Sequence, residues 1–390
     1  MDYFDQNTYL RNLFDIRTTR IELKEFNSVI CNEKFYSKTN EDNKIDFSNG
    51  YNESDLEKEI FSKEDDLQVE ENNNFNYIVV KSDSDKRAKD VIFLFHGLNE
   101  RLWDKYLPWA LKLHKSTGKA VILFPIAFHM NRAPGNWSNP RLMKKMSEYR
   151  ISKFNGIENS TFANAALSSR LHSKPSRFFT SGFQTFSDVT DLVAEIRAGN
   201  NKYIYDDASI NFFGYSIGAL LAEVLLMANP SNYFDKSKLF IFCGGPTFDI
   251  MFPVAKAILD SEAYKSMHKF FKLFDDYLNK GKINRSLLPE IKYFKSLLSQ
   301  YGLRNIREER LLELKDKIFA ISLIKDKVVP PESVINTLNG SQKKIPIRTM
   351  ITDFPYNYSH ETPFPVDKNQ REIVNVNFEN IFGLASSFLV

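Results

Sequence analysis

From Phe75 to the C-terminus the chain alternates short apolar runs with helical stretches, and this alternation restricts the fold more than any other feature. The runs are FNYIVVK (75–81), VIFLF (91–95), AVILFPIAF (120–128), INFFGY (210–215), LFIFCG (239–244), IFAISLI (318–324) and PIRTMIT (346–352). Runs that are apolar on both faces need cover on both faces. Between them lie YLPWALKLHKST, SDVTDLVAEIRAG, IGALLAEVLLMAN and the final NFENIFGLASSFLV, all with helical patterning. Strand and helix in this order predict an α/β fold, a doubly wound and mostly parallel sheet with helices on both sides. A chain of 390 residues has length for one large domain with insertions, or for two domains, and for a substantial core.

Two connections are too long to be simple. Residues 129–186 and residues 247–315 separate neighbouring elements, the second with mostly helical patterning, and both are expected as lids over a site. The polar, strongly acidic stretch between Glu41 and Glu71 reads as a solvated connector. Residues 1–74 are therefore expected as an N-terminal extension and residues 75–390 as the main domain.

Composition narrows the function. The 52 Lys and Arg against 49 Asp and Glu, a net charge of +3, argue against nucleic acid as a partner. The 34 Phe accompany abundant Asn, Lys and Ile, which an AT-rich coding sequence explains without a lipid-binding surface. Cys31 and Cys243 are far apart and suggest no disulfide framework. No segment reaches the roughly 18 apolar residues of a membrane span, and the N-terminus lacks the pattern of a signal peptide, so a cytoplasmic location is expected. No His or Cys cluster has metal-ligand spacing and no phosphate-binding glycine pattern occurs; no metal or nucleotide cofactor is expected.

The segment INFFGYSIGALLAEVLL (210–226) carries the chemistry. A strand runs into Gly214-Tyr215-Ser216-Ile217-Gly218 and directly into a helix. A serine at so sharp a turn adopts a strained backbone that lifts its hydroxyl above the sheet, while glycines let strand and helix approach. The pattern alone is weak; its place between an apolar strand and an apolar helix raises it. A serine hydroxyl needs a base, and the base needs an acid; after a strand-turn-helix serine on an α/β sheet the expected order is Ser, Asp or Glu, His. Asp326 follows the strand IFAISLI, where ligand chemistry concentrates in open α/β sheets. Of the two histidines after Ser216, His268 lies in a helical insertion, whereas His360 sits in the loop YNYSHETPFP before the last helix. An oxyanion needs backbone donors, here the amides of Ile217 and of Leu98 in VIFLFHGLNER, with Asn99 beside it.

These residues together resemble the α/β-hydrolase superfamily over roughly residues 75–390. The resemblance rests on His96-Gly97 after one strand, the Gly214–Gly218 elbow, Asp326 in KDKVVPP and His360 before the last helix. It implies Ser216 as nucleophile, His360 as base, Asp326 as acid, an acyl-enzyme intermediate, and a cap at 247–315. The loop HGLNE lacks the extra glycines of the HGGG type, so that kind of lipase or esterase loop is not supported.

The substrate expected is a small acyl compound, an ester, thioester or amide. Acyl transfer to another acceptor and a noncatalytic binding role remain as alternatives. His96, Asn99, Tyr215, Arg132 and Trp137 are candidate substrate contacts; the insertion arginines Arg132, Arg141, Arg170 and Arg177 could hold an anion or simply decorate a lid. His114 and His129 are read as structural.

Overall fold

The computed structural model describes residues 1–38, 54–61, 66–84, 86–274 and 288–390. The acidic stretch and the middle of the second insertion thus lie partly outside the described residues. Among the described residues the strands are β1 (Arg20–Leu23), β2 (Ser28–Tyr36), β3 (Asn74–Ser82), β4 (Ala88–Phe95), β5 (Ala120–Leu123), β6 (Ile204–Tyr215), β7 (Leu239–Phe242), β8 (Ile318–Leu323) and β9 (Arg348–Thr352). They form one sheet in the order β1-β2-β3-β5-β4-β6-β7-β8-β9. From β5 to β9 every neighbouring pair is parallel, and the β1-β2-β3-β5 end is antiparallel.

The period of two along each strand splits its side chains between two cores. Phe93, Phe95, Phe212 and Ile241 pack on one side with the helices Arg177–Arg197 and Ile217–Ala228. Ile92, Leu94, Phe213, Tyr215 and Phe242 pack on the other with Tyr3–Leu13, Tyr106–Thr117 and Arg371–Leu389. These strand residues are buried on both faces, and each large apolar side chain contributes about 1.5–3 kcal/mol relative to full exposure.

The N-terminal region does not stand apart from the sheet as its sequence suggested. β2 pairs with β3 from Ser28↔Ser82 to Tyr36↔Asn74, and β1 returns against β2 through a turn with Asn27 at φ 47°. Tyr3 stacks on Phe378 of the last helix. The physical reason for the discrepancy is edge position: β1 is buried only at alternate residues, so its sequence needs little apolar character.

The long insertions carry the helices Pro140–Lys153 and Ala165–Ser173 in the first, and Ser261–Lys272, Leu288–Ser296 and Arg304–Glu313 in the second. They are joined by a fully buried ion pair, Arg150 Nε to Asp260 Oδ2 at 2.6 Å.

Candidate active site

β6 ends at Tyr215 and the helix Ile217–Ala228 begins two residues later, leaving Ser216 at φ 55° and ψ −124°. A non-glycine residue there is strained, at a cost of order 1–3 kcal/mol. The flanking glycines are required by contact. A Cβ on Gly214 would lie 2.5 Å from Ala219 Cα, and one on Gly218 would lie 2.5 Å from the Phe95 carbonyl oxygen. The helix therefore presses against β4 and β6 at a separation only glycine permits.

Ser216 Oγ lies 2.7 Å from His360 Nε2, and His360 Nδ1 lies 2.7 Å from Asp326 Oδ2. All three side chains are buried. The other carboxylate oxygen accepts the amides of Val328 and Val329, each at 2.9 Å, which fixes the carboxylate plane. With Asp326 accepting, the partners assign the proton to Nδ1 and leave Nε2 to accept from the serine hydroxyl. Burial and the Asp326 carboxylate push the neighbouring Cys243 thiol well up, so it stays protonated beside the acid.

The loop bearing His360 is pinned from below. Tyr215 donates its hydroxyl to the His360 carbonyl and its ring stacks against the imidazole, 15° from parallel. Lys105 donates to the Glu361 carbonyl at 3.0 Å and pairs with Glu100. Tyr215 thus holds His360 in place, and its own ring is packed in the core.

His96 likewise serves the backbone. Its Nδ1–H donates to the Gly97 carbonyl at 2.8 Å, while Nε2 accepts the Ile126 amide at 3.0 Å. Complete burial pushes its pKa well down, as that neutral tautomer requires. The Gly97 amide is spent on Tyr106 Oη at 2.9 Å, and Tyr106 in turn donates to Glu100 at 2.8 Å. The Leu98 amide has no protein acceptor among the described residues. Neither does the Ile217 amide, which opens a helix and carries the favourable end of its dipole.

Three other nominated residues hold the insertions. Asn99 donates to the carbonyls of Ala163 and Ala257, one from each insertion, at 2.9 and 2.7 Å. Arg132 is fully buried and spends its donors on Asn72, Pro125 and Asp188, with its guanidinium 3.9 Å over the Phe75 ring. Trp137 is buried, stacked on Phe128, and covered by Arg170 at 4.0 Å. The Arg132 charge is paired internally with Asp188, as a buried charge must be. His268, the other histidine after Ser216, is half-buried in a helix of the second insertion and packs on Tyr264.

Glu100, Lys105 and Tyr106, which brace the loop, had no motif to announce them. Beside the loop an apolar pocket of about 390 Å³, counting its open mouth, is lined by Leu98, Ile126, Phe178, Ile217, Leu220 and Phe294. Phe294 closes it against Gly182, where a Cβ would come within 2.7 Å of the ring.

A parallel sheet with an antiparallel end, a strained serine after its central strand, an acid after β8 and a histidine before the last helix define the α/β-hydrolase fold. The chain belongs to a family of unknown function, DUF6051, matched over residues 1–390. No curated protein matches this sequence. Among solved structures it is similar to a thermostable esterase from Pseudomonas putida ECU1011, at 10% identity and a TM-score of 0.50, covering 100% of this chain and 91% of that one. A doubly substituted form of esterase rPPE gives 9% identity, TM-score 0.50 and the same coverage. A hyperthermophilic esterase from the archaeon Pyrobaculum calidifontis gives 8% identity and TM-score 0.45, covering 98% of this chain and 90% of that one. At 9–10% identity the first two likenesses concern the fold alone.

Proposed function

We propose that this protein is a serine hydrolase that cleaves a small ester or related acyl compound through Ser216, His360 and Asp326. The observation that carries the reading is the continuous hydrogen-bonded chain Asp326–His360–Ser216, with both links at 2.7 Å, ending on a hydroxyl held in a strained elbow. A binding protein on the same fold would have no need to maintain that strain.

In this mechanism Ser216 Oγ attacks the acyl carbon as its proton passes to His360 Nε2. Asp326 stabilises the imidazolium, and the amides of Leu98 and Ile217 receive the oxyanion. Collapse breaks the bond to the leaving group, which takes the proton from His360. Water then gives a proton to the same nitrogen as it attacks the acyl carbon, and collapse breaks the bond to Ser216 Oγ, which takes that proton back as the acid leaves. The leaving group must lie beside His360 Nε2. Leu98 and Ile217, whose amides would receive the oxyanion, line the apolar pocket, so the acyl group extends into it, with the two insertions as its cap.

Intact-mass labelling with a small fluorophosphonate tests the reading. One adduct per chain is expected, absent in Ser216→Ala, whose thermal midpoint should stay close to that of the parent. Equal labelling of both proteins would sink it.

A further inference from the structure

The apolar pocket beside the oxyanion loop has walls of two origins. Leu98, Ile126 and Ile217 come from the rim of the sheet and the helix after Ser216, and the insertions supply Phe178, Gly182 and Phe294. Phe294 is clamped there. It is 2% exposed, and its ring lies so close to Gly182 that a Cβ at that position would come within 2.7 Å of it. Behind it stands Phe179, fully buried and outside the lining, which packs edge to face on the Phe294 ring with 4.7 Å between centroids. The backbone that carries the ring is tied as well. Arg307 donates to the carbonyl of Ser296, which ends the helix Leu288–Ser296, and to those of Ser299 and Gln300 at 3.1 and 2.7 Å. The Phe248 amide donates to the Leu297 carbonyl at 2.9 Å. A ring with backbone on one side and a buried ring on the other cannot move aside without overpacking its neighbours. It is a fixed wall.

The lining also sets polarity. Among the described residues it holds no carboxylate, lysine or arginine. Ser181 already donates to the Phe178 carbonyl at 3.1 Å, and His129 spends Nδ1 on the Ala127 carbonyl at 2.9 Å. A charged acyl group would lose its hydration here without compensation. We propose that Phe294 sets the length limit of the acyl pocket and restricts Ser216 to short, uncharged hydrocarbon acyl groups. This rests on the serine-hydrolase reading above and names its substrate class. At about 390 Å³ with its mouth included, the pocket is at the small end for ligand sites. In such a slot one methylene too many or too few changes kcat/KM by about ten- to two hundredfold.

The test uses the full chain with p-nitrophenyl acetate, butanoate and octanoate, each below its solubility limit. Butanoate should exceed octanoate tenfold or more in kcat/KM. Phe294→Ala, which removes the ring in front of Phe179, should lower that ratio at least tenfold, with octanoate gaining on acetate too; a general loss of turnover would move all three esters together. Phe294→Leu, which leaves part of the volume, should fall between, and it carries the test if the alanine variant does not fold, as thermal midpoints report. A wild-type ratio near one, or a ratio unchanged in a folded Phe294 variant, overturns the proposal. Labelling of Ser216 by fluorophosphonate with turnover of none of the three esters overturns it too, while leaving the role of the serine intact. Neither labelling nor turnover removes both.

Discussion

The rim of the sheet and the first insertion both bury polar side chains, and they use them in opposite ways. At the rim the hydrogen bonds run in a line from the Val328 and Val329 amides through Asp326 and His360 to the Ser216 hydroxyl. In the insertion they close on themselves. Arg132 meets Asp188, Arg150 meets Asp260, and Arg170 and Arg177 both meet Asp66, whose carboxyl is driven well below the usual range against its own burial. A buried arginine near a site is therefore not by itself a substrate contact. What distinguishes chemistry from architecture is whether the chain of partners ends on an atom that a ligand can reach.

Three measurements would break or sharpen that contrast. The largest effect is expected at the rim: Asp326→Asn should lower kcat about 10⁴-fold, as loss of a triad acid does on another scaffold, with folding little changed because the amide oxygen can still accept from Val328 and Val329. A rate within tenfold of wild type would direct attention to another acid. In the insertion, Arg132→Met should instead act on stability, costing about 3–5 kcal/mol in urea unfolding because Asp188 is left buried without its partner. An unchanged midpoint with a raised KM for an anionic ester would return Arg132 to the substrate.

The smallest effect is that of acid on His129, at the root of the same insertion. Its folded pKa of about 4 lies below the unfolded value of 6.5, so between those values the unfolded chain binds the extra proton. Stability should fall as pH drops through that window, by an amount on the order of 3 kcal/mol at pH 4. His96, Arg101, Arg132 and Arg170 act on the ring, and none is an acid that would hold a proton there. His129→Leu should flatten the unfolding free energy over this interval; an equal slope in both proteins would assign the acid sensitivity elsewhere.

Much of this was legible in the sequence because it depends on local rules. Doubly apolar runs such as VIFLF and IFAISLI can only be central strands, and each became one. The G-Y-S-I-G turn is legible because Gly214 and Gly218 answer to contacts within a strand-turn-helix unit and with the adjoining strand. Asp326 and His360 could be singled out because, on the fold the sequence resembles, an acid and a histidine are expected to follow the serine at loop positions after strands. The edge strand β1 escaped notice because an edge strand needs few apolar residues, and β2, although mostly buried inside the sheet, carries Asn32, Glu33 and Lys34 in mid-strand. The partners of Asn99 and Arg132 could not be read in advance, because composition near a site does not say which partner a side chain has already found.

The sequence by itself determined the alternation of strands and helices, the serine elbow and the order of the three polar residues, since each follows from side-chain periodicity and the sterics of a single turn. Only the tertiary structure decided which amides remain open beside Ser216 and which arginines pair with which carboxylates. Those outcomes depend on the pairing of groups tens to hundreds of residues apart, and pairing of that kind is settled by the packed chain rather than by any of its segments.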